Sequence, residues 1–144
     1  LTIKELSLKI VDSTKYFDLA HNLGIPEKGF VNLKEQLFGL EANFEELNAI
    51  DFKKGCYVGQ ENTARMKLKN KLRRRLLPII SDNPLKISNE IKFNDQIVGK
   101  ILIGDQYPFA LVKLFDPEFK TFSKKKLRVE ESDIEILSPF YLAI

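Results

Sequence analysis

Cysteine and histidine are nearly absent: 144 residues hold one of each, Cys56 and His21. A single thiol closes no internal disulfide, which removes the disulfide scaffolds. A self-contained zinc or iron–sulfur site takes about four Cys or His ligands, and two residues cannot supply it. No apolar run approaches the roughly 20 residues that span a bilayer, so neither a transmembrane helix nor a membrane partner is expected. The opening Leu1-Thr2-Ile3-Lys4-Glu5 has no apolar leader core and no cleavage signature, which points to the cytoplasm. Its first residue is Leu rather than Met, so the chain reads as a piece of a longer protein. A dominant sign of charge is missing too. The 23 Lys+Arg stand against 20 Asp+Glu, and a balance of +3 does not argue for nucleic acid by itself.

What is present is an ordinary globular composition, 44% apolar and 30% charged, enough for one domain or a domain with a piece of another. Asp12-Ser13-Thr14 followed by Tyr16, Phe17, Leu19, Ala20 and Leu23 predicts a short amphipathic helix. Ser13 or Thr14 would cap it, Gly24 would end it and Pro26 would block its continuation. Leu33 and Leu37 suggest a further helical turn over 32–40. Asn43, with Glu46 three residues on and Leu47 and Ile50 after it, suggests a capping box opening another helix. From about residue 71 the period changes. Short apolar runs at 75–80, 90–93, 96–103, 109–115, 125–129 and 134–137 alternate with turn-forming residues, which predicts an antiparallel barrel or sandwich. Asn94-Asp95 would form a tight hairpin. In strand 109–115, Ala110, Val112 and Leu114 would face one way and Phe109, Leu111 and Lys113 the other. The expected division is 1–70 and 71–144, with an α+β fold overall.

Residues 51–65 carry the chemistry. Gly55 and Gly59 bracket Cys56 in a loop that feeds a helix begun by Gln60, Ala64 and Leu68, so Cys56 lies just before a helix N-terminus and beside Lys53 and Lys54. Both features favour thiolate over thiol. A lone Cys is nonetheless more often a small buried apolar residue.

The run Lys54-Gly55-Cys56-Tyr57-Val58-Gly59-Gln60-Glu61 is preceded by Asn48-Ala49-Ile50-Asp51-Phe52 and followed by Ala64-Arg65. It resembles the signature of the YgfZ family, folate-binding-like proteins of the aminomethyltransferase (glycine cleavage T-protein) superfamily linked to iron–sulfur cluster enzymes and tRNA modification. The likeness extends to Leu23-Gly24-Ile25-Pro26, Leu40-Glu41-Ala42-Asn43, Arg73-Arg74-Arg75-Leu76 and Ile97-Val98-Gly99. It implies the C-terminal portion of a folate-binding-type (aminomethyltransferase-like) domain followed by a small antiparallel β-barrel. It also implies an accessory factor for assembly or repair of iron–sulfur enzymes more than an enzyme in its own right. Cys56 would be the reactive residue or a ligand of a cluster shared with a partner. Lys54, Gly55, Tyr57, Gly59, Gln60, Glu61 and Arg65 would shape its loop, with Tyr57 and Gln60 as hydrogen-bonding groups and Arg65 paired to a carboxylate. Tetrahydrofolate and iron–sulfur assembly or client proteins are the implied ligand and partners.

Two segments depart from the family pattern. Before Gly-Ile-Pro, where family members carry an Arg and related aminomethyltransferases a nearby folate-contacting Glu, this chain reads Ala20-His21-Asn22-Leu23, which removes a charge-assisted anchor for a pterin. Where members carry His-Arg-Gly, it reads Leu68-Lys69-Asn70, and Asn70 could take the left-handed turn that Gly would supply.

Two other functions fit parts of the sequence. A folate-dependent one-carbon transferase follows from the superfamily, although the Cys signature marks its non-transferase branch. An RNA-contacting module could use the 65–75 basic stretch with Lys124, Lys125, Lys126 and Arg128, but no stacking aromatics interleave with it, which argues against RNA. His21 reads as a helix-surface residue, and Glu45, Glu46 and Asp51 as solvated charges.

Overall fold

The computed structural model describes residues 6–7, 9–68 and 72–142. The expected boundary at 70–71, the left-handed turn at Asn70 and the basic residues Lys69 and Lys71 lie outside the described residues.

Six strands form a closed antiparallel barrel: β1 Arg74–Ser81, β2 Glu90–Phe93, β3 Gln96–Ile103, β4 Phe109–Lys113, β5 Leu127–Val129 and β6 Ser132–Ile136. The order around the barrel is β1-β4-β3-β2-β5-β6. β1 closes it by pairing twice. Its first half runs beside β4, from Arg74 opposite Lys113 to Pro78 opposite Phe109, and its second half beside β6, with Ile79 opposite Ile136. Pro78, which donates no ladder hydrogen bond, sits where the partner changes. The β2–β3 hairpin turns through Asn94 and Asp95, both at positive φ as their short polar side chains allow.

The period-two pattern decides what fills the barrel. Leu77 and Ile79 of β1, Ile91 of β2, Val98 and Ile101 of β3, and Ala110 and Val112 of β4 form the interior with Phe122, Val129 and Ile134. The opposite face of β4 is buried as well. Phe109 and Leu111 join Leu76, Leu102 and Ile103 in a second cluster, covered from outside by Leu33. The leading segment is therefore the lid of the barrel's outer face.

That segment holds α1 Thr14–Asn22, a 3₁₀ turn over Phe30–Leu33 and α2 Gln60–Leu68. α1 starts where expected, but Ser13 makes no capping bond. Asp12 does this instead, its Oδ1 accepting from the Thr14 amide at 2.8 Å and hydroxyl at 2.6 Å. Gly24, at φ 71°, ends the helix as the sequence requires. Contrary to the surface reading, His21 is buried. Its ring nitrogen donates to the Pro108 carbonyl at 2.9 Å and the ring packs edge-on to Phe109 at 5.1 Å, and burial lowers its proton affinity. Helical periodicity could not reveal a partner 87 positions away.

The helix expected after Asn43 does not form; residues 40–48 are successive turns. Asn43 sits at φ 62° and its side chain is spent across the fold. Its Nδ2 donates to the Leu76 carbonyl at 2.8 Å, while its Oδ1 accepts from Arg75 Nη1 at 2.9 Å. Beside it the Leu76 amide donates to the Glu41 carbonyl at 2.7 Å, and Arg74 grips the buried Glu41 carboxylate at 2.9 and 3.3 Å. Arg75 also pairs with Glu46. Glu46 is thus no solvated charge. Burial is the largest influence and opposes its ionisation, yet the Arg75 hydrogen bond and the nearby charges of Arg75 and Lys67 outweigh it, holding the carboxyl below its ordinary value. Tyr141, whose hydroxyl donates to the Leu23 carbonyl at 2.6 Å, is pushed up to about 12 by burial first and by the Glu46 charge second.

Two outcomes test this fold. A methyl group at Gly104 would lie 1.9 Å from the Leu85 carbonyl oxygen, backbone against backbone, so Gly104→Ala should lower unfolding stability by about 3 kcal/mol in urea titration. Because the folded Glu46 pKa is depressed, its contribution is present above its unfolded value of 4.5 and is lost as pH falls below that. Glu46→Gln should cost about 1 kcal/mol at neutral pH, and the deficit should shrink as pH falls below 4.5.

Candidate functional site

The Cys56 loop begins at Asp51, whose Oδ1 accepts from the Lys53 amide at 2.8 Å. It ends at Gly59, where φ is 87°, a conformation that admits glycine and strains other residues. The next residue opens α2. Gln60 is fastened to the loop twice: its amide donates to the Tyr57 carbonyl at 3.2 Å, and its Oε1 accepts from the Tyr57 amide at 3.4 Å. The Gln60 side chain is therefore engaged by the Tyr57 backbone. Glu61 lies in the first turn of α2, where the helix dipole favours an acid.

Cys56 is a free, exposed thiol at the tip of this loop. Val58 beside it is fully exposed and Tyr57 is 38% exposed, so an apolar edge accompanies the sulfur. Open space surrounds both flanking glycines, with no heavy atom within 4 Å of where a Cβ would stand at Gly55 or Gly59. Lys54 lies over the Tyr57 ring at 4.5 Å. Arg65 is exposed, and among the described residues no carboxylate comes within ion-pair distance of it, so the expected pairing is not seen.

α2 buries none of its nine residues. A polar helix of that length gains little from its own hydrogen bonds. Lys67 tethers it, pairing with Glu45 and lying 5.1 Å over the Phe52 ring. Sequence reasoning missed Phe52 and Glu45 in this role, because a carboxylate 22 positions away leaves no local pattern. The basic run is also less free than it reads. Lys67, Arg74 and Arg75 are paired with Glu45, Glu41 and Glu46, leaving Arg65 and Arg73 as its unpaired cations among the described residues. No group of three or more Cys, His, Asp or Glu that could hold a metal ion occurs among the described residues.

The two glycines should respond differently. Gly59→Ala should strain the turn by about 1 kcal/mol and speed amide exchange in the first turn of α2, with barrel amides unchanged. Gly55→Ala, at an ordinary φ and in open space, should alter neither.

No family model matches the chain. Curated relatives do. It is 48% identical over 58 residues to the iron-sulfur cluster assembly factor IBA57 homolog, mitochondrial, of Neurospora crassa, a match covering 40% of this chain and 13% of that protein. It is 38% identical over 78 residues to the iron-sulfur cluster assembly factor IBA57, mitochondrial, of Mus musculus, covering 54% and 22%. The corresponding Homo sapiens protein is 38% identical over 71 residues, covering 45% and 20%. The chain thus matches about a fifth or less of these relatives' length. Their names place them in mitochondria, so the cytoplasm expected above is not the compartment that these relatives share. No helix among the described residues is long and apolar enough to cross a membrane. The chain is similar, over the matched stretches, to proteins named for iron–sulfur cluster assembly.

Proposed function

We propose that this chain is the C-terminal part of a YgfZ-type accessory factor for the assembly or repair of iron–sulfur enzymes, with Cys56 as its working group. The observation that carries the reading is an exposed thiol on a glycine-bracketed loop at a helix start, in a chain similar to proteins named as iron–sulfur cluster assembly factors. One thiolate cannot hold a cluster alone. Cys56 therefore acts as one ligand of a cluster in transit: the thiol releases its proton, the sulfur takes an open iron coordination site, and a partner's thiolates hold the remaining irons. Val58 and the Tyr57 edge dock against that partner, and Gly55 and Gly59 let its backbone approach closely. The assembly machinery and client enzymes, tRNA-modifying ones included, are the partners, in the compartment where the relatives work.

The segment ahead of the barrel is, in this reading, the end of a folate-binding-type domain. Tetrahydrofolate belongs to the proposal only for the whole protein. In the segment before Gly24 this chain has Ala20 and Asn22, and His21 is turned inward onto Pro108.

Complementation tests the proposal. Full-length protein should restore the activity of a cluster-dependent enzyme in cells lacking the factor, and Cys56→Ser should fail at equal abundance and unchanged thermal midpoint. Full rescue by Cys56→Ser would remove the thiol from the mechanism.

A further inference from the structure

The arm that carries Cys56 meets the rest of the fold at a single polar joint. It runs from Asp51 through α2, and α2 buries none of its nine residues, so no apolar face holds it down. A polar helix of this length is marginal unless something outside it fixes it. The bonds inside the arm, Lys53 to Asp51 and Gln60 to Tyr57, shape it without attaching it. Met66 lines a cleft with Phe38 and Glu41, but its flexible thioether fixes no direction. Among the described residues, the hydrogen bond or ion pair that crosses from 51–68 to the rest of the fold is that of Lys67 with Glu45, and no other does so.

That joint takes in both stems of the loop. Lys67 belongs to the outgoing stem. Its ammonium lies 5.1 Å from the centre of the Phe52 ring on the incoming stem, within cation–π range. The same ammonium pairs with Glu45, which sits between Asn43 and Glu46, the residues that hold Arg75. The Lys67 and Glu45 side chains are 44% and 34% exposed, so the pair adds little to global stability. Its importance is local. Opening it releases both stems together, and the thiol between them is then spread over many orientations.

We infer that Lys67 is a positioning residue for Cys56: its ammonium ties the two stems of the loop to Glu45 and so sets the direction in which the thiol is presented to a partner. The inference rests on the role proposed above for Cys56. Its effect is on orientation and not on access, because Cys56 is already exposed with the joint closed. A sulfur that must enter an iron coordination site loses rate when its presentation is dispersed. The joint needs a cation at residue 67. A guanidinium keeps both the charge and the ring contact, whereas a neutral amide keeps neither.

The test uses full-length protein in which any cysteine outside this chain is replaced by serine. One nitroxide is placed on Cys56 and a second on Lys100→Cys, an exposed position of β3. Pulsed electron paramagnetic resonance then reads the distance between arm and barrel. A narrow distribution is expected. Lys67→Gln and Glu45→Gln should each broaden it at an unaltered thermal midpoint, and Lys67→Arg should not. Combining Lys67→Glu with Glu45→Lys should narrow it relative to either change alone. In unlabelled full-length protein, restoration of a cluster-dependent enzyme should fall about threefold for Lys67→Gln and for Glu45→Gln, and Lys67→Arg should stay within about twofold of the parent. Unchanged distributions in Lys67→Gln and Glu45→Gln overturn the inference even where Cys56 proves essential. Broadened distributions with undiminished restoration also overturn it, because the joint is then structural only. Full rescue by Cys56→Ser is a separate result: it defeats the role of the thiol, and its positioning with it, whatever the distances are.

Discussion

Everything else in the molecule depends on the polar clamp between the 41–46 turns and the first three residues of β1. Glu41 takes Arg74, Asn43 takes both Arg75 and the Leu76 carbonyl, and Glu46 takes Arg75. These bonds reach the strand at the point where it enters the barrel. They hold the leading segment against the outer face of β1, β3 and β4, where Leu33 seals Leu76, Leu102, Ile103, Phe109 and Leu111 from water. Polar groups so placed contribute direction more than net stability. Glu46 Oε2 and Arg75 Nε are buried with no hydrogen-bond partner among the described residues, and that desolvation offsets part of what the ion pair returns.

The clamp also explains why the Cys56 loop stands free. Once residues 38–48 are committed to the barrel, the chain leaves the core, turns through Cys56 and returns as α2, which buries nothing. Its tether, Lys67 on Glu45 and Phe52, joins partly exposed groups and contributes little by itself. Low local stability there is compatible with the proposed use. An exposed thiol on a loop with open space at both flanking glycines leaves room for the partner that the proposal requires.

The barrel was legible because its signal is local. Alternation in 109–113 and the Asn94-Asp95 turn state strand and hairpin within a few residues, and the ladder follows from them. What was not legible is long-range. Asn43 followed by Glu46 has the local form of a capping box, yet both side chains find better partners on β1, and the backbone at Asn43 turns left-handed instead of starting a helix. His21 shares a helix face with Phe17 and Ala20, but no local pattern announces the Pro108 carbonyl that accepts its proton. The glycine-bracketed loop and the start of α2 at Gln60 were readable because φ at Gly59 and the helix start belong to adjacent residues.

The central claim is that the Cys56 sulfur occupies an iron site while a cluster is shared between this protein and a partner. Alkylation of that thiol, followed by mass spectrometry of the peptide that contains it, tests this most directly. The account predicts rapid modification in the free full-length protein, protection in the anaerobic cluster-loaded complex, and renewed reactivity when a chelator strips the iron with the complex still assembled. Equal modification of Cys56 in the loaded and free states would contradict it. Protection that persists after the iron is removed would equally contradict it, because the partner's surface rather than an iron–sulfur bond would then be covering the thiol.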